Sequence, residues 1–400
     1  MPPPSPTTIP DPFAALRAEL ERIGRADRLR TIRAAEGGAG PRIDRRGRSF
    51  VNFGSNNYLG LAEHPRVKAA AILAIERDGV GAGASRLLTG DRAVHDELEY
   101  ELARLKGTEA ALVFPTGYQA NVGVITSLVG RGDLIVADRD CHASLIDGCR
   151  ASGARFRVYR RDRLDQLDAV LARRPVTGRT LIVTDSVFSM EGDLAPLPDL
   201  AALADRHGAL LLVDDAHATG VLGTRGTGSS EHWNLRERPI IQLGTLSKAL
   251  GALGGFVAGP RVLIDFALNR ARTFIYTTAL PAAIAAAALE AVRVLHDEPD
   301  RRERLWANTR QWHAGVRGLG FDTFGSASPI VPLRIGNDGL ALRVASALAE
   351  EGVYAPAIRP PTVPAGTARL RTSVLATHTP DDLTLALSAL ERVAARLGVP

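Results

Sequence analysis

Short apolar runs alternate with helix-length segments through the middle of the chain, from about residue 66 to 260. Strands spaced by helices are typical of βαβ units and a mostly parallel sheet. Because these runs are continuously apolar, both faces of the sheet should be covered by helices. The predicted strands are "AALVF" (110–114), "LIVAD" (134–138), "LIVTD" (181–185), "ALLLVDD" (209–215), "IIQLG" (240–244) and "GGFVAG" (254–259).

The pattern differs on either side of this region. Helical periodicity fills about 11–35, and the strand-like "RSFVNF" follows it. A long helix is predicted near 279–315, rich in alanine at its start. After it, a helix at 339–352 lies between strands at 328–336 and 368–375, which is typical of a smaller α+β unit. Thr379, directly before Pro380, should cap the last helix.

We therefore predict an α/β fold with a mostly parallel central sheet, helices on both of its faces and a smaller C-terminal α+β domain. The divisions that we expect are a disordered, proline-rich tail (1–10), an N-terminal helical arm with a short strand (11–57), a large α/β domain (58–290) and a small domain (291–400).

Composition and charge exclude some classes of function. The formal net charge is +5 and the pI is about 9.5, but basic and acidic residues alternate, as in "RRDRLDQLD" at 160–168. Such alternation is typical of solvated helix faces. There is no basic stripe with interleaved aromatic residues to indicate nucleic-acid binding. No apolar run reaches the roughly eighteen residues that a membrane span needs.

Cysteine use and the start of the chain predict a compartment. Cys141 and Cys149 cannot make a disulfide framework, which suits a reducing cytosol. The start, "MPPPSPTTIPDP", has neither the cationic nor the apolar region of a signal peptide. We expect a cytoplasmic protein with no nucleic-acid or membrane partner.

The stretch "LLLVDDAHATG" carries candidate chemistry at a strand end, where ligands bind in such sheets. Asp214, Asp215 and His217 could be metal ligands, although a metal needs three or four converging groups. An aspartate could instead cap the next helix. A third interpretation is a buried carboxylate that stabilises a protonated ring nitrogen of a bound molecule.

Two further strand ends carry polar groups. "VFPTGYQAN" places Thr116 and Gly117 at a helix start, where free N–H groups favour an anion. "DRDCHASLIDG" places His142 just beyond another strand. A lone histidine is most often structural, but its ring could also lie against a planar ligand.

The stretch "GTLSKALGALGG" contains one of only three lysines, the others being Lys68 and Lys106. Among small and apolar neighbours, Lys248 would lose part of its preference for the charged form. A neutral amine can form a Schiff base. The alternative is that Lys248 is an ordinary surface lysine. Together with a phosphate-ready helix start and a strand-end carboxylate, Lys248 indicates pyridoxal phosphate.

At this point the motifs match a known family. The chain resembles the α-oxoamine synthases, fold-type I pyridoxal-phosphate enzymes, over about 15–395. The motifs that carry the resemblance are "NFGSNNYLGL", "GAGASRLLTG", "FPTGYQAN", "DRDCHASLIDG", "TDSVFSMEGD", "VDDAHATG", "GTLSKALG", "FIYTTALP" and "AIRPPTVPAGTARLR".

The resemblance implies a role for each matching residue. Lys248 would form the Schiff base, Asp214 would pair with the pyridine nitrogen, and His142 would stack on the ring. His217 and Ser189 would approach the ring hydroxyl. The phosphate would be held by Gly117, Tyr118 and Thr245, and by Thr278 of the other subunit, which implies a homodimer with shared active sites. The positions that match substrate-binding residues are Arg30, Ser85, Arg359, Thr362 and Arg371.

The resemblance also implies a reaction, the decarboxylative condensation of L-alanine with a pimeloyl thioester of coenzyme A or of an acyl carrier protein. Arg371 would bind the carboxylate of alanine, and Arg359 or Arg30 would bind the distal carboxylate of the pimeloyl group. Ser85 would leave room for the methyl group of alanine. The alternatives are a glycine-using member of the family, a non-catalytic subunit of the same fold, and a metal-dependent hydrolase built on Asp214, Asp215 and His217.

Overall fold

The computed structural model describes residues 11–26, 28–32, 34–173 and 177–400. The tail predicted for residues 1–10 lies outside this part of the chain. The strands are β1 (Arg42–Arg45), β2 (Arg48–Asn52), β3 (Ala110–Phe114), β4 (Leu134–Asp138), β5 (Arg155–Tyr159), β6 (Thr180–Asp185), β7 (Leu210–Asp214), β8 (Ile240–Thr245), β9 (Gly255–Gly259), β10 (Ile330–Gly336), β11 (Val353–Tyr354), β12 (Ala357–Ile358) and β13 (Ala368–Ser373).

The α-helices of the described residues are α1 (Ala14–Arg25), α2 (Pro65–Asp78), α3 (Ala93–Lys106), α4 (Gly117–Leu128), α5 (Ala143–Ala151), α6 (Leu164–Ala172), α7 (Leu197–His207), α8 (Ser229–His232), α9 (Arg261–Arg270), α10 (Arg272–Ile275), α11 (Ala282–Asp297), α12 (Asp300–Gly318), α13 (Asp338–Glu350) and α14 (Pro380–Leu397). A 3₁₀ turn at Leu61–Glu63 and a π-helical turn at Arg86–Gly90 complete the helical elements.

The central sheet has seven strands in the order β3-β9-β8-β7-β6-β4-β5. All neighbours are parallel except β9, which runs antiparallel to both β3 and β8. The predicted mostly parallel sheet is therefore confirmed, and the six apolar runs form strands within about one residue of the predicted ends. The edge strand β5 was missed, because its sequence "RFRVY" alternates charged residues that point to solvent.

Helices cover both faces of the sheet, as the continuous apolar strands predict. One core joins α3 and α11 to β3 and β9. A second core, on the other face, joins α4, α5 and α9 to the sheet. A third places α6 and α7 against the strands β4, β6 and β7. Apolar side chains are thus removed from water on both sides of every central strand.

The smaller unit contains two three-stranded sheets, β10-β13-β12 and β1-β2-β11. Its core packs Trp312, Leu370 and Leu390 against Val51 and Phe53, so the strand that precedes the large domain is part of the small one. The predicted boundary at residue 290 lies inside α11, which continues to Asp297 and packs on α2 and α3. The division into domains stays a prediction.

Two predicted helices need correction. The long helix near 279–315 is two helices, α11 and α12, because Pro299 has no N–H and restricts the backbone of Glu298. The helix over 11–35 is only α1, which buries no side chain.

The predicted cap of the last helix is confirmed, since the Thr379 hydroxyl accepts the N–H of Asp382 at 3.1 Å. Of the helices described, none combines the length and apolar character needed to cross a membrane.

Candidate active site

The predicted site residues converge at the carboxyl edge of the parallel strands. Asp185 ends β6 and Asp214 ends β7, and the two lie side by side in the register of these strands. Burial and the neighbouring Asp214 carboxylate raise the pKa of Asp185 well above its ordinary range. This edge of the sheet is where doubly wound α/β folds bind their ligands.

Lys248 lies in the loop that follows β8. Its side chain is partly exposed, and among the described residues it forms no ion pair. Burial among protein atoms lowers the pKa of the Lys248 amine, although the carboxylates of Asp214 and Asp185 act in the opposite direction. The loop turns at Gly251, where φ is 66° and an added Cβ would lie 2.2 Å from the nitrogen of Ala62. Only glycine fits this turn.

The start of α4 forms a cradle for an anion. Thr116 caps the helix by accepting the N–H of Gln119 at 3.1 Å, which leaves the first-turn N–H groups at Gly117 and Tyr118. A Cβ on Gly255 would lie 2.5 Å from the Cα of Gly117, so the strand β9 approaches this turn as closely as two glycines allow. The helix dipole favours negative charge at this place.

Thr245 borders the cradle, since a Cβ on Gly117 would lie 3.4 Å from its hydroxyl oxygen. The buried hydroxyl of Thr245, however, donates to the carbonyl of Gly254 at 2.8 Å and lies 2.7 Å from the Ser247 hydroxyl. Ser247 is exposed and was not among the predicted cofactor ligands. Tyr118 is also exposed, and its hydroxyl donates to Asp147 at 2.5 Å.

Asp214 is held by groups on both of its oxygens. Its Oδ1 accepts the N–H of Ala216 at 2.8 Å, and its Oδ2 accepts the side-chain amide of Asn121 at 2.7 Å. The same amide nitrogen donates to the Ser144 hydroxyl at 2.8 Å. Asn121 lies on α4, so the helix that builds the anion cradle also fixes the carboxylate.

His142 is the N-cap of α5. Its backbone N–H donates to Asp185 at 2.8 Å, and its Nδ1 lies 2.7 Å from the Ser144 hydroxyl. Partial burial lowers the pKa of the His142 ring, as does the charge of Lys248, while the Asp214 carboxylate raises it. The ring is therefore neutral near physiological pH.

His217 is buried near Lys248. Its Nδ1 lies 2.7 Å from the hydroxyl of Tyr58. Burial, together with the nearby charges of Lys248 and Arg371, lowers the pKa of His217 well below its ordinary value. Burial also raises the pKa of Tyr58 to about 12, so both groups are uncharged.

Arg371 projects from β13 of the small unit into this edge. It donates to the carbonyl of Ser189 at 2.7 Å, to Asn56 at 3.0 Å and to the Ser373 hydroxyl at 2.9 Å. All of these partners are neutral, and within the described residues no carboxylate pairs with Arg371. A nearly buried guanidinium without an anion is a receptor for a carboxylate ligand.

The remaining predicted substrate and phosphate residues are Arg30, Ser85, Thr278, Arg359 and Thr362. The Arg30 guanidinium reaches the Thr362 hydroxyl at 3.4 Å, and the N–H of Thr362 donates to the carbonyl of Arg359 at 3.1 Å. The three predicted substrate residues of these two segments are thus neighbours. Ser85 is half-buried before the π-helical turn, and Thr278 is exposed.

Asp215 lies in a buried ion pair and is not shared with Asp214 and His217. Its carboxylate accepts from Lys106 Nζ at 2.7 Å and from the Ser229 hydroxyl at 2.5 Å, and both charged side chains are fully buried. Asp214 and His217 are engaged elsewhere, as described above. Across the described ranges, no cluster of histidine, cysteine or carboxylate side chains has the geometry of a metal site.

Four polar residues that were not predicted hold the predicted site residues in place. Asn121, Ser144, Tyr58 and Asn56 each make a short hydrogen bond to a predicted site residue. Their only signal was membership of the quoted motifs, in "GYQAN", "CHASL" and "GSNNYLGL". Such polar residues within apolar stretches could have been examined as buried partners, since buried polar groups need hydrogen bonds.

Known proteins are similar to this chain in sequence and in fold. The sequence profile of the aminotransferase class I and II family matches residues 48–390. The 8-amino-7-oxononanoate synthase of Geobacter sulfurreducens is 48% identical over 388 residues, which cover 96% of this chain and 99% of that protein.

Solved structures agree. A high-resolution structure of SPT with a PLP internal aldimine has a TM-score of 0.91 at 35% identity, covering 97% of this chain and 98% of that one. The 8-amino-7-oxononanoate synthase of Francisella tularensis has a TM-score of 0.75 at 28% identity, covering 88% and 99%. The predicted resemblance and the predicted fold type are confirmed. The chain belongs to the aminotransferase class I and II family, with near-full-length relatives among the 8-amino-7-oxononanoate synthases.

Proposed function

We propose that the protein is a pyridoxal-phosphate-dependent 8-amino-7-oxononanoate synthase of biotin biosynthesis. It condenses L-alanine with a pimeloyl thioester and releases carbon dioxide and the free thiol. One observation carries the proposal: Lys248 lies close enough to Arg371 and to the strand-end carboxylate Asp214 for both charges to act on its pKa, and within the described residues neither cation forms an ion pair. A lysine of lowered pKa and a carboxylate receptor are what an amino-acid-activating site needs.

The residues present fit pyridoxal phosphate. The phosphate fits the first turn of α4, where the N–H groups at Gly117 and Tyr118 have no acceptor within the helix. Asp214 fits a protonated pyridine nitrogen, and Lys248 fits the aldehyde carbon. When bound, the cofactor would supply an electron sink for the negative charge that develops on the Cα atom of the amino acid.

The chain's own residues orient alanine and move its proton. The Arg371 guanidinium binds the alanine carboxylate and fixes the direction of the bonds at Cα. The Lys248 amine, with its lowered pKa, takes the Cα proton as general base. The ring of His142 donates a hydrogen bond to the oxygen of the reacting carbonyl. His217, neutral and held by Tyr58, and Ser189 would hold the ring hydroxyl of the cofactor.

The acyl substrate enters past the N-terminal arm. The contact of Arg30 with Thr362, which itself bonds to Arg359, places two guanidinium groups on neighbouring segments. We assign the distal carboxylate of the pimeloyl group to Arg359 or Arg30. Arg359→Ala should therefore raise the KM for the pimeloyl thioester and leave the KM for alanine unchanged. An unaltered KM for both substrates would refute the assignment of Arg359.

The protein acts as a homodimer in this proposal. Large apolar side chains are exposed around the segment that carries Ser85, on α2 and near Thr278, namely Ile72, Leu73, Val80, Leu87, Leu88 and Tyr276. An apolar surface of this kind is typical of a subunit interface. Thr278, exposed in one chain, is then available to the phosphate bound by the other. Two free cysteines support a reducing, cytoplasmic location.

Product identification tests the proposal. The purified protein, supplied with pyridoxal phosphate, L-alanine and pimeloyl-coenzyme A, should form 8-amino-7-oxononanoate, detected by mass spectrometry. Replacing alanine with glycine and varying the acyl donor tests the alternative of a glycine-using synthase. Faster turnover with glycine and acetyl-coenzyme A would contradict our assignment while keeping the reaction class.

A further inference from the structure

A chain of hydrogen bonds connects Asp214 to His142. The Asn121 side-chain amide donates to Asp214 Oδ2 at 2.7 Å and to the Ser144 hydroxyl at 2.8 Å. The Ser144 hydroxyl in turn lies 2.7 Å from Nδ1 of His142. Asp214, Asn121 and Ser144 are buried, whereas His142 is exposed apart from its part-buried contact with Ser144. The three links cross from β7 through α4 to α5.

The direction of each bond follows from the chemistry of the groups. An ionised carboxylate can only accept, so the nitrogen of the Asn121 amide, not its oxygen, faces Asp214. The second hydrogen of that nitrogen occupies the Ser144 oxygen. The Ser144 hydroxyl therefore directs its own hydrogen to Nδ1 of His142, the next acceptor along the chain.

A second contact independently requires Nδ1 to be an acceptor. The backbone N–H of Ser144 points to Nδ1 of His142 at 3.3 Å, as expected for an N-cap residue. A backbone N–H cannot accept, so a proton on Nδ1 would face two donors. In the neutral ring the proton must therefore reside on Nε2.

We propose that Asn121 and Ser144 are positioning residues that transmit the orientation of the Asp214 carboxylate to His142 and fix its ring with the proton on Nε2. The consequence for catalysis rests on the proposed function. A ring with an Nε2–H can donate to the oxygen of the reacting carbonyl but cannot take the Cα proton there. We call the chain Asp214–Asn121–Ser144–His142 the relay. The relay, and not His142 alone, thus determines that His142 is the hydrogen-bond donor and Lys248 the base.

Five charged or titratable groups face His142 from the surrounding elements: Asp214 on β7, Asp185 on β6, Asp147 on α5, His217 after β7 and Lys248 after β8. None of them contacts Nδ1, which is occupied by the two donors of Ser144. Removing the Ser144 hydroxyl should therefore change the titration of His142 while these charges stay in place.

Nitrogen-15 NMR of histidine-labelled protein, with pyridoxal phosphate bound, tests the relay. The spectrum of His142, identified by its loss in His142→Asn, should show an unprotonated Nδ1 and a protonated Nε2 at neutral pH. Ser144→Ala should raise the pH at which His142 titrates and lower kcat by up to ~100-fold, the lower end of the ~10²–10⁴-fold that general acid–base catalysis contributes, with the KM for alanine nearly unchanged. Ser144→Thr should restore both.

Ser152→Ala is the matched control, because this hydroxyl caps the other end of α5 by donating to Cys149. It should leave the His142 spectrum unaltered. A proton on Nδ1 in the unmodified protein, or a Ser144→Ala titration equal to that of the unmodified protein, would overturn the proposal. The spectrum of the unmodified protein shows which nitrogen of His142 carries the proton, so it tests the proposal even if Ser144→Ala fails to fold. A protein that binds no cofactor would refute the proposed function but would still report the tautomer.

Discussion

Lys106 and Lys248 show that the same type of side chain has two different roles in one fold. Lys106 is fully buried, donates to Asp215 at 2.7 Å and also bonds to Thr219 and to the carbonyl of Thr227. Lys248 is partly exposed and has a pKa lowered by burial, with no carboxylate in salt-bridge contact within the described chain. A paired lysine holds structure, whereas an unpaired one of lowered pKa is available for chemistry.

The same contrast recurs between two arginines of β13. Arg369 pairs with Glu191 at 2.7 Å and stacks on Phe324. Arg371, two residues further, has only neutral partners and points into the site. In these two pairs, the lack of a carboxylate partner distinguishes Lys248 from Lys106 and Arg371 from Arg369.

Replacing the unpaired lysine should have the largest effect. Lys248→Ala removes both the attachment point of the cofactor and the general base, and the base alone contributes ~10²–10⁴-fold. We expect kcat to fall at least ~10³-fold while the thermal unfolding midpoint of the cofactor-free protein barely changes. Steady-state kinetics and a melting curve check this. Retention of more than a tenth of the activity would contradict the role of Lys248.

Replacing the paired lysine should instead destabilise the fold. Lys106→Met leaves Asp215 buried without its cation, which costs about 3–5 kcal/mol. Denaturant unfolding measures this loss. Lys68→Met, at an exposed lysine, is the control and should change stability by less than about 0.5 kcal/mol. Equal stability of Lys106→Met and the unmodified protein would mean that the buried pair is not structural.

The two arginines give the next smaller effect. Arg371→Gln should raise the KM for alanine by ~10–100-fold, because hydrogen bonds to a charged group contribute about 1.5–3 kcal/mol. Arg369→Gln should lower stability, since Glu191 loses its partner, and change the KM for alanine less. Steady-state kinetics of the two variants check this. Equal effects on the KM for alanine would contradict the distinction between Arg371 and Arg369.

The smallest expected effect concerns the choice of amino acid. Ser85→Thr adds one methyl group where we expect the methyl of alanine to fit. A methyl group is worth about 1–3 kcal/mol in discrimination, so the ratio of kcat/KM for glycine over alanine should rise by roughly tenfold or more. An unchanged ratio in competition assays would remove Ser85 from the substrate pocket.

Much of this fold was predictable because the buried strands are short, apolar and spaced by helices. The edge strand β5 was not, since its alternating charges face water. Motifs identified Lys248, Asp214 and Arg371, but they did not identify the residues that hold the site in place. Asn121 lies 93 residues from Asp214, and Tyr58 lies 159 residues from His217. Contacts at such distances depend on packing, which no local pattern encodes.

The two adjacent aspartates make the same point. Apart from the family resemblance, which singles out Asp214, the residues of this stretch offered Asp214 and Asp215 as equal candidates, even for a metal. Their environments differ because successive residues at a strand end point in opposite directions. Asp214 faces the ligand edge, and Asp215 turns toward α3, where Lys106 ends the helix.

Reduction with borohydride tests the central claim most directly. The purified protein, incubated with pyridoxal phosphate, should absorb as a Schiff base and lose this absorption on reduction. Peptide mass spectrometry should then find the phosphopyridoxyl group on Lys248. Labelling of Lys106 or Lys68 in place of Lys248, or a colourless protein that takes up no cofactor, would contradict the account.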